Sequence, residues 1–133
     1  MGLKYAAIHS LFHILTPFAL SYFFGLDFFR FLLVFAGSLI IDADHFFLVK
    51  KHGIAKAFKK VILHGFGKVR RYPLHNFVTI ALFSLGSVLI VMPDLMGAGV
   101  FCLAVLIHLL WDLFEDVFVF RVGTRHWKVS SKV

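Results

Sequence analysis

The sequence predicts an all-α protein, a four-helix transmembrane bundle with a short amphipathic interfacial helix. Three observations predict it. Hydrophobic residues make up 60% of the chain, mean hydropathy is +0.89 and charged residues are held to 16%, against about 25% in an ordinary soluble domain. Four apolar runs each approach or exceed the roughly 20 residues that a helix needs to cross hydrocarbon. Lysine and arginine fall almost wholly on one side of those runs. This composition excludes a soluble globular domain and a disordered tail. A single cysteine, Cys102, excludes a disulfide scaffold. At 133 residues the chain reads as one integral membrane domain, too short for transporters built from two large repeats.

The spans follow in order: Tyr5 to Phe24, Phe28 to Val49, Pro73 to Met92 and Gly97 to Phe120. Gly25-Leu26-Asp27 reads as a tight turn between the first two. Pro93-Asp94 breaks the chain between the last two, and Pro73 suits a helix start because its missing N–H would be unpaired there. The first span has only Lys4 ahead of it and no small-residue cleavage site behind it, so it reads as a retained helix rather than a signal peptide.

Orientation comes from the bases. The loop 50–72 holds Lys50, Lys51, Lys56, Lys59, Lys60, Lys68, Arg70 and Arg71. Arg121, Arg125, Lys128 and Lys132 follow the fourth span, and Lys4 precedes the first. That is thirteen against Arg30 alone on the other side. Both termini and the loop are therefore expected in the cytoplasm, with the protein in the cell membrane. The net charge of +7 reflects topology, and nucleic acid is not expected as a partner. Within the loop, Ile54, Ala57, Phe58, Val61 and Ile62 follow a helical period with lysines on the other faces. This predicts an amphipathic helix, lying on anionic headgroups or packed on the bundle end.

Polar residues inside the spans carry the functional signal. A carboxylate at the bilayer centre costs at least about 2.5 kcal/mol. Five of the seven acids nevertheless lie within or at the end of a span: Asp42, Asp44, Asp112, Glu115 and Asp116. Histidines His9, His13, His45, His75 and His108 join them. With the topology applied, all lie in the cytoplasmic half. His9 and His13 are spaced i, i+4; His108, Asp112 and Glu115 are spaced i, i+4, i+7; Asp42 and His45 are spaced i, i+3, so each set shares a helix face. Imidazole and carboxylate sets of this kind suit Zn, Mn or Fe, and bundles build metal sites from such inward-facing pairs. Asp42, His45, His75, His108 and Asp112 form the central set. His13 reads equally as a packing histidine, and Asp44 and Asp116 as boundary acids that meet water or pair with Lys50 or Lys51. Gly37, Ser38, Ala81, Ser84, Gly86 and Ser87 predict close helix contacts.

The segment Leu39-Ile40-Ile41-Asp42-Ala43-Asp44-His45 resembles the LPDxDH signature of the LexA-binding, inner-membrane-associated metal-dependent hydrolase family. His108 to Asp112 resembles that family's HxxxD helix, and His75 the second histidine of its HRGxTHS motif. His9 resembles its early histidine, with His13 an alternative for that place. Ile41 stands where the family has Pro, Arg70 where it has the first histidine of HRGxTHS, and Glu115-Asp116 near its usual Thr-Pro. The resemblance implies a multi-pass, metal-dependent membrane hydrolase. His9, Asp42, His45, His75, His108 and Asp112 would hold one or two divalent metals, with Asp44 as general base or as an orienting group. A site in the inner leaflet beside a basic helix implies a lipid or another amphiphilic phosphate as substrate. Two alternatives remain at this level: a non-catalytic metal- or haem-binding protein, and a small structural subunit whose polar residues pair with partner helices. The sequence leaves oligomerisation open. A proton conductor is disfavoured, because the outer half of the fourth span has no polar side chain other than Cys102 before His108.

Overall fold

The computed structural model describes residues 3–41, 53 and 74–119, and every regular element among them is helical. Asp42, Asp44, His45, the expected interfacial helix and the basic residues from Arg121 onward lie outside the described residues.

Helix α1 spans Leu3–Phe24 and α2 spans Phe28–Ile40. The expected turn joins them. Gly25 takes φ +57°, and the Leu26 N–H returns to the Ser21 carbonyl at 3.0 Å, closing α1 with a left-handed cap. Asp27 then caps α2, its carboxylate accepting from the Arg30 N–H at 2.9 Å. Pro17 sits inside α1, and the Thr16 hydroxyl donates to the Phe12 carbonyl at 2.8 Å.

Helix α3 spans Phe77–Ser87 and tightens into a 3₁₀ turn over Val88–Val91. Its start differs from the expected one at Pro73. Asn76 is extended and its side chain accepts from the Thr79 N–H at 3.0 Å, so an amide cap sets the first turn, with Leu74 and His75 ahead of it. A second 3₁₀ turn, Pro93–Leu95, leads into α4, Met96–Phe114, which continues as a π turn over Glu115–Val119.

Helix α4 is the spine, packing along both α2 and α3, while α1 lies mainly on α2. Leu20, Val34, Val100 and Ala104 form one apolar cluster, and Ile41, Val105 and Leu109 a second. Glycine permits the α2–α4 approach: a Cβ at Gly37 would meet the Phe101 carbonyl at 2.9 Å. Gly86 lies similarly close to Cys102, whereas Ala81, expected among the contact residues, is exposed.

The distribution of polarity is inverted relative to a soluble protein. Tyr22, Phe23, Phe29, Leu85 and Val91 are each more than 70% exposed, while His13, His75, His108, Asp112, Glu115 and Asp116 are all buried. One helix, Pro93–Val119, is long and apolar enough to cross a membrane. Ile8–Phe24, Phe28–Ile40 and Phe77–Val91 are apolar but shorter among the described residues.

Candidate metal centre

The polar cluster lies at one end of the helices. It takes the N-terminal half of α1, the C-terminus of α2, the entry to α3 and the C-terminal half of α4. His108 and Asp112 are one turn apart on the buried face of α4, as their spacing predicts. His75 reaches them from just ahead of the α3 cap, its Nε2 lying 2.7 Å from Asp112 Oδ2. His108 Nε2 lies 3.2 Å from the same oxygen.

The second nitrogen of His108 decides what this pair can do. Its Nδ1 is 2.6 Å from the Ser38 carbonyl, which can only accept, so Nδ1 carries a proton and donates. In the neutral ring Nε2 then presents a lone pair toward a carboxylate oxygen. Two electron-rich atoms facing one another at this distance require a cation between them, either a proton or a metal. Metal-ligating histidines are usually anchored in this way, one ring N–H held by a carbonyl or carboxylate so that the other nitrogen can face an ion. Two ligands of one tetrahedral ion at Zn–N and Zn–O lengths lie about 3.3 Å apart, which the His108–Asp112 pair at 3.2 Å matches, whereas the His75–Asp112 pair at 2.7 Å is at hydrogen-bond length.

On the other side of Asp112 are the two histidines of α1. His9 Nε2 and His13 Nε2 are 3.2 Å apart. His9 Nδ1 and His13 Nε2 each lie 3.9 Å from Asp112 Oδ1. His9 Nδ1 also donates to Glu115 Oε2 at 2.9 Å. The His13 ring stacks on that of His108, centroids 3.8 Å apart. Two groups with donor atoms within 4.8 Å of one another result: His75, His108 and Asp112, all buried, and His9, His13 and Asp112, of which His9 is half-buried. Either could hold a metal ion.

Of the residues expected from sequence, the structure thus brings His9, His75, His108 and Asp112 together. Asp42, Asp44 and His45 lie outside the described residues, although Ile41, immediately before them, is buried against Val105 and Leu109. Sequence reasoning placed three groups differently. His13 is 4% exposed and touches His9 and His108, so it belongs to the cluster rather than to packing alone. Asp116 is 3% exposed, which is incompatible with a boundary acid resting in water. The wider π turn carries both Glu115 and Asp116 inward, a distortion that recurs at functional sites. The third group is the Ser38 carbonyl: only the small side chain of Ser38 was legible, as a contact residue. Its signal was position, since the last carbonyls of a helix have no partner within the helix.

Compared with known proteins, the chain matches no family model, no curated protein and no solved structure.

Proposed function

We propose that the protein is a multi-pass membrane hydrolase whose metal site lies at the cytoplasmic end of a four-helix bundle, as the resemblance to the LexA-binding, inner-membrane-associated hydrolases implies. The observation that carries this reading is the buried His75–His108–Asp112 group, with His108 fixed through Nδ1 so that Nε2 faces the carboxylate. The apolar exterior and the length of the last helix support the membrane assignment, since soluble monomers seldom expose large contiguous apolar patches. The basic segments 50–71 and 121–132 adjoin the helix ends that carry the cluster, which supports a cytoplasmic-leaflet position.

A divalent ion, Zn, Mn or Fe, would supply Lewis-acid chemistry, acidifying water and polarising a phosphoryl or carbonyl oxygen. The set His9, Asp42, His45, His75, His108 and Asp112 would hold one or two such ions, one of them against His75, His108 and Asp112, with Asp44 as general base. The apolar surroundings exclude bulk water from the group, and the fixed His108 tautomer keeps its lone pair available. Substrates would be lipids or other amphiphilic phosphates reaching the site from the inner leaflet.

The test is hydrolysis of short-chain phosphatidic acid by detergent-purified protein, loaded in turn with Zn, Mn and Fe. Chelation should abolish turnover, and His75→Ala and Asp112→Ala should each lower it at least 100-fold. Turnover that survives both substitutions would sink the assignment.

A further inference from the structure

Resting on the metal-site reading above, we infer that Asp112 bridges two ion positions, the second held by His9 and His13 and oriented by Glu115. The two carboxylate oxygens lie toward different histidine pairs: Oδ2 is 2.7 Å from His75 Nε2 and 3.2 Å from His108 Nε2, and Oδ1 is 3.9 Å from His13 Nε2, whose neighbour His9 turns its Nδ1 to Glu115. A bridging carboxylate presents its oxygens to two cations in this way, and paired catalytic ions sit about 3.5–4 Å apart. The His9–His13 separation of 3.2 Å matches two ligands on one ion.

The proton positions agree. Glu115 accepts from His9 Nδ1, which leaves His9 Nε2 as the atom turned to His13 Nε2. Glu115 therefore does for His9 what the Ser38 carbonyl does for His108: each fixes which ring nitrogen carries the proton. Glu115 is 1% exposed, and among the described residues neither its Oε1 nor Asp112 Oδ1 accepts a hydrogen bond. A buried carboxylate oxygen left without a donor loses its solvation with nothing in return, and a cation against Oδ1 supplies that compensation. Glu115 is a positioning residue here, acting through His9.

The experiment is Mn(II) titration of the metal-stripped, detergent-purified full chain, read by bound stoichiometry and by electron paramagnetic resonance. The wild type should bind two Mn(II) per chain and give an exchange-coupled spectrum. His13→Asn should bind one and give an uncoupled six-line spectrum. Glu115→Gln, which preserves side-chain volume, should weaken the second Mn(II) 10–100-fold, the usual cost of losing an outer partner, and leave the first unchanged. One Mn(II) per wild-type chain, unaffected by His13→Asn and by Glu115→Gln, would overturn the second position while leaving the metal site standing. No Mn(II) in the wild type would overturn both.

Discussion

Asp112→Asn separates two roles that this side chain could play. In the metal-free protein a proton shared between Asp112 and the rings takes the place of the ion, so that a neutral carboxyl group faces Nε2 of both His75 and His108, and His108 has already committed Nδ1 to the Ser38 carbonyl. An amide nitrogen at the Oδ2 position has two hydrogens, one for each Nε2. The change should therefore alter metal-free stability by no more than about 1 kcal/mol, the net scale of a neutral hydrogen bond. The loaded protein behaves differently. At 100 times its dissociation constant, an ion that binds only the folded state stabilises it by about 2.7 kcal/mol, and Asn provides no anionic ligand to keep that gain. Unfolding in detergent, followed with and without Zn, measures both quantities. The competing arrangement is a structural ion pair between Asp112 and protonated histidines. Removing the carboxylate would then leave a buried charge and destabilise the metal-free protein by about 3–5 kcal/mol. That loss, together with no response of the wild type to Zn, would refute the reasoning.

Three further outcomes are expected. Gly37→Leu should force α2 away from α4 at the Phe101 carbonyl, destabilising the fold by about 1–3 kcal/mol and weakening Zn binding, because the Ser38 carbonyl moves with α2; unfolding and a Zn titration check the two parts. Asn76→Ala should cost about 1 kcal/mol through loss of the α3 cap and loosen the placement of His75, read as lower Zn affinity. Arg30→Ala should change stability by no more than about 0.5 kcal/mol, since its pair with Asp27 is solvent-exposed at 3.3 Å; a larger loss in the same unfolding assay would contradict the minor role given to that pair.

Much of the helical organisation was legible because it follows from local chemistry. The Gly25–Asp27 turn could be read from a glycine able to take positive φ and an acid able to cap. The shared face of His108, Asp112 and Glu115 follows from the helical period. Legibility failed where the determinant was not a side chain in a periodic position. Pro73 is compatible with a first turn and predicts the start of α3 there; the Asn76 amide defines the turn instead. His13 was ambiguous because one period serves equally for packing and for ligation, and only its distance to His9 and His108 places it within the cluster. The buried position of Asp116 depends on a local change of helix type, which no residue pattern announced. The Ser38 carbonyl belongs to the backbone, and a sequence shows which carbonyls end a helix only once the end itself is known.

Pro17 gives α1 a mechanical property distinct from the other walls of the cluster. It follows His13 by four residues and has no N–H to return to the His13 carbonyl. The rung missing from the helix ladder is thus at the level of the two imidazoles. Bending concentrates at such a gap, so the segment carrying His9 and His13 can tilt while Phe18 to Phe24 keeps its place against α2. Helix α4 has no proline within it, and α2 is clamped to it at Gly37. The cluster therefore has one compliant wall and an otherwise stiff frame, so that a change in its spacing would be taken up by movement of α1 rather than by repacking of the core.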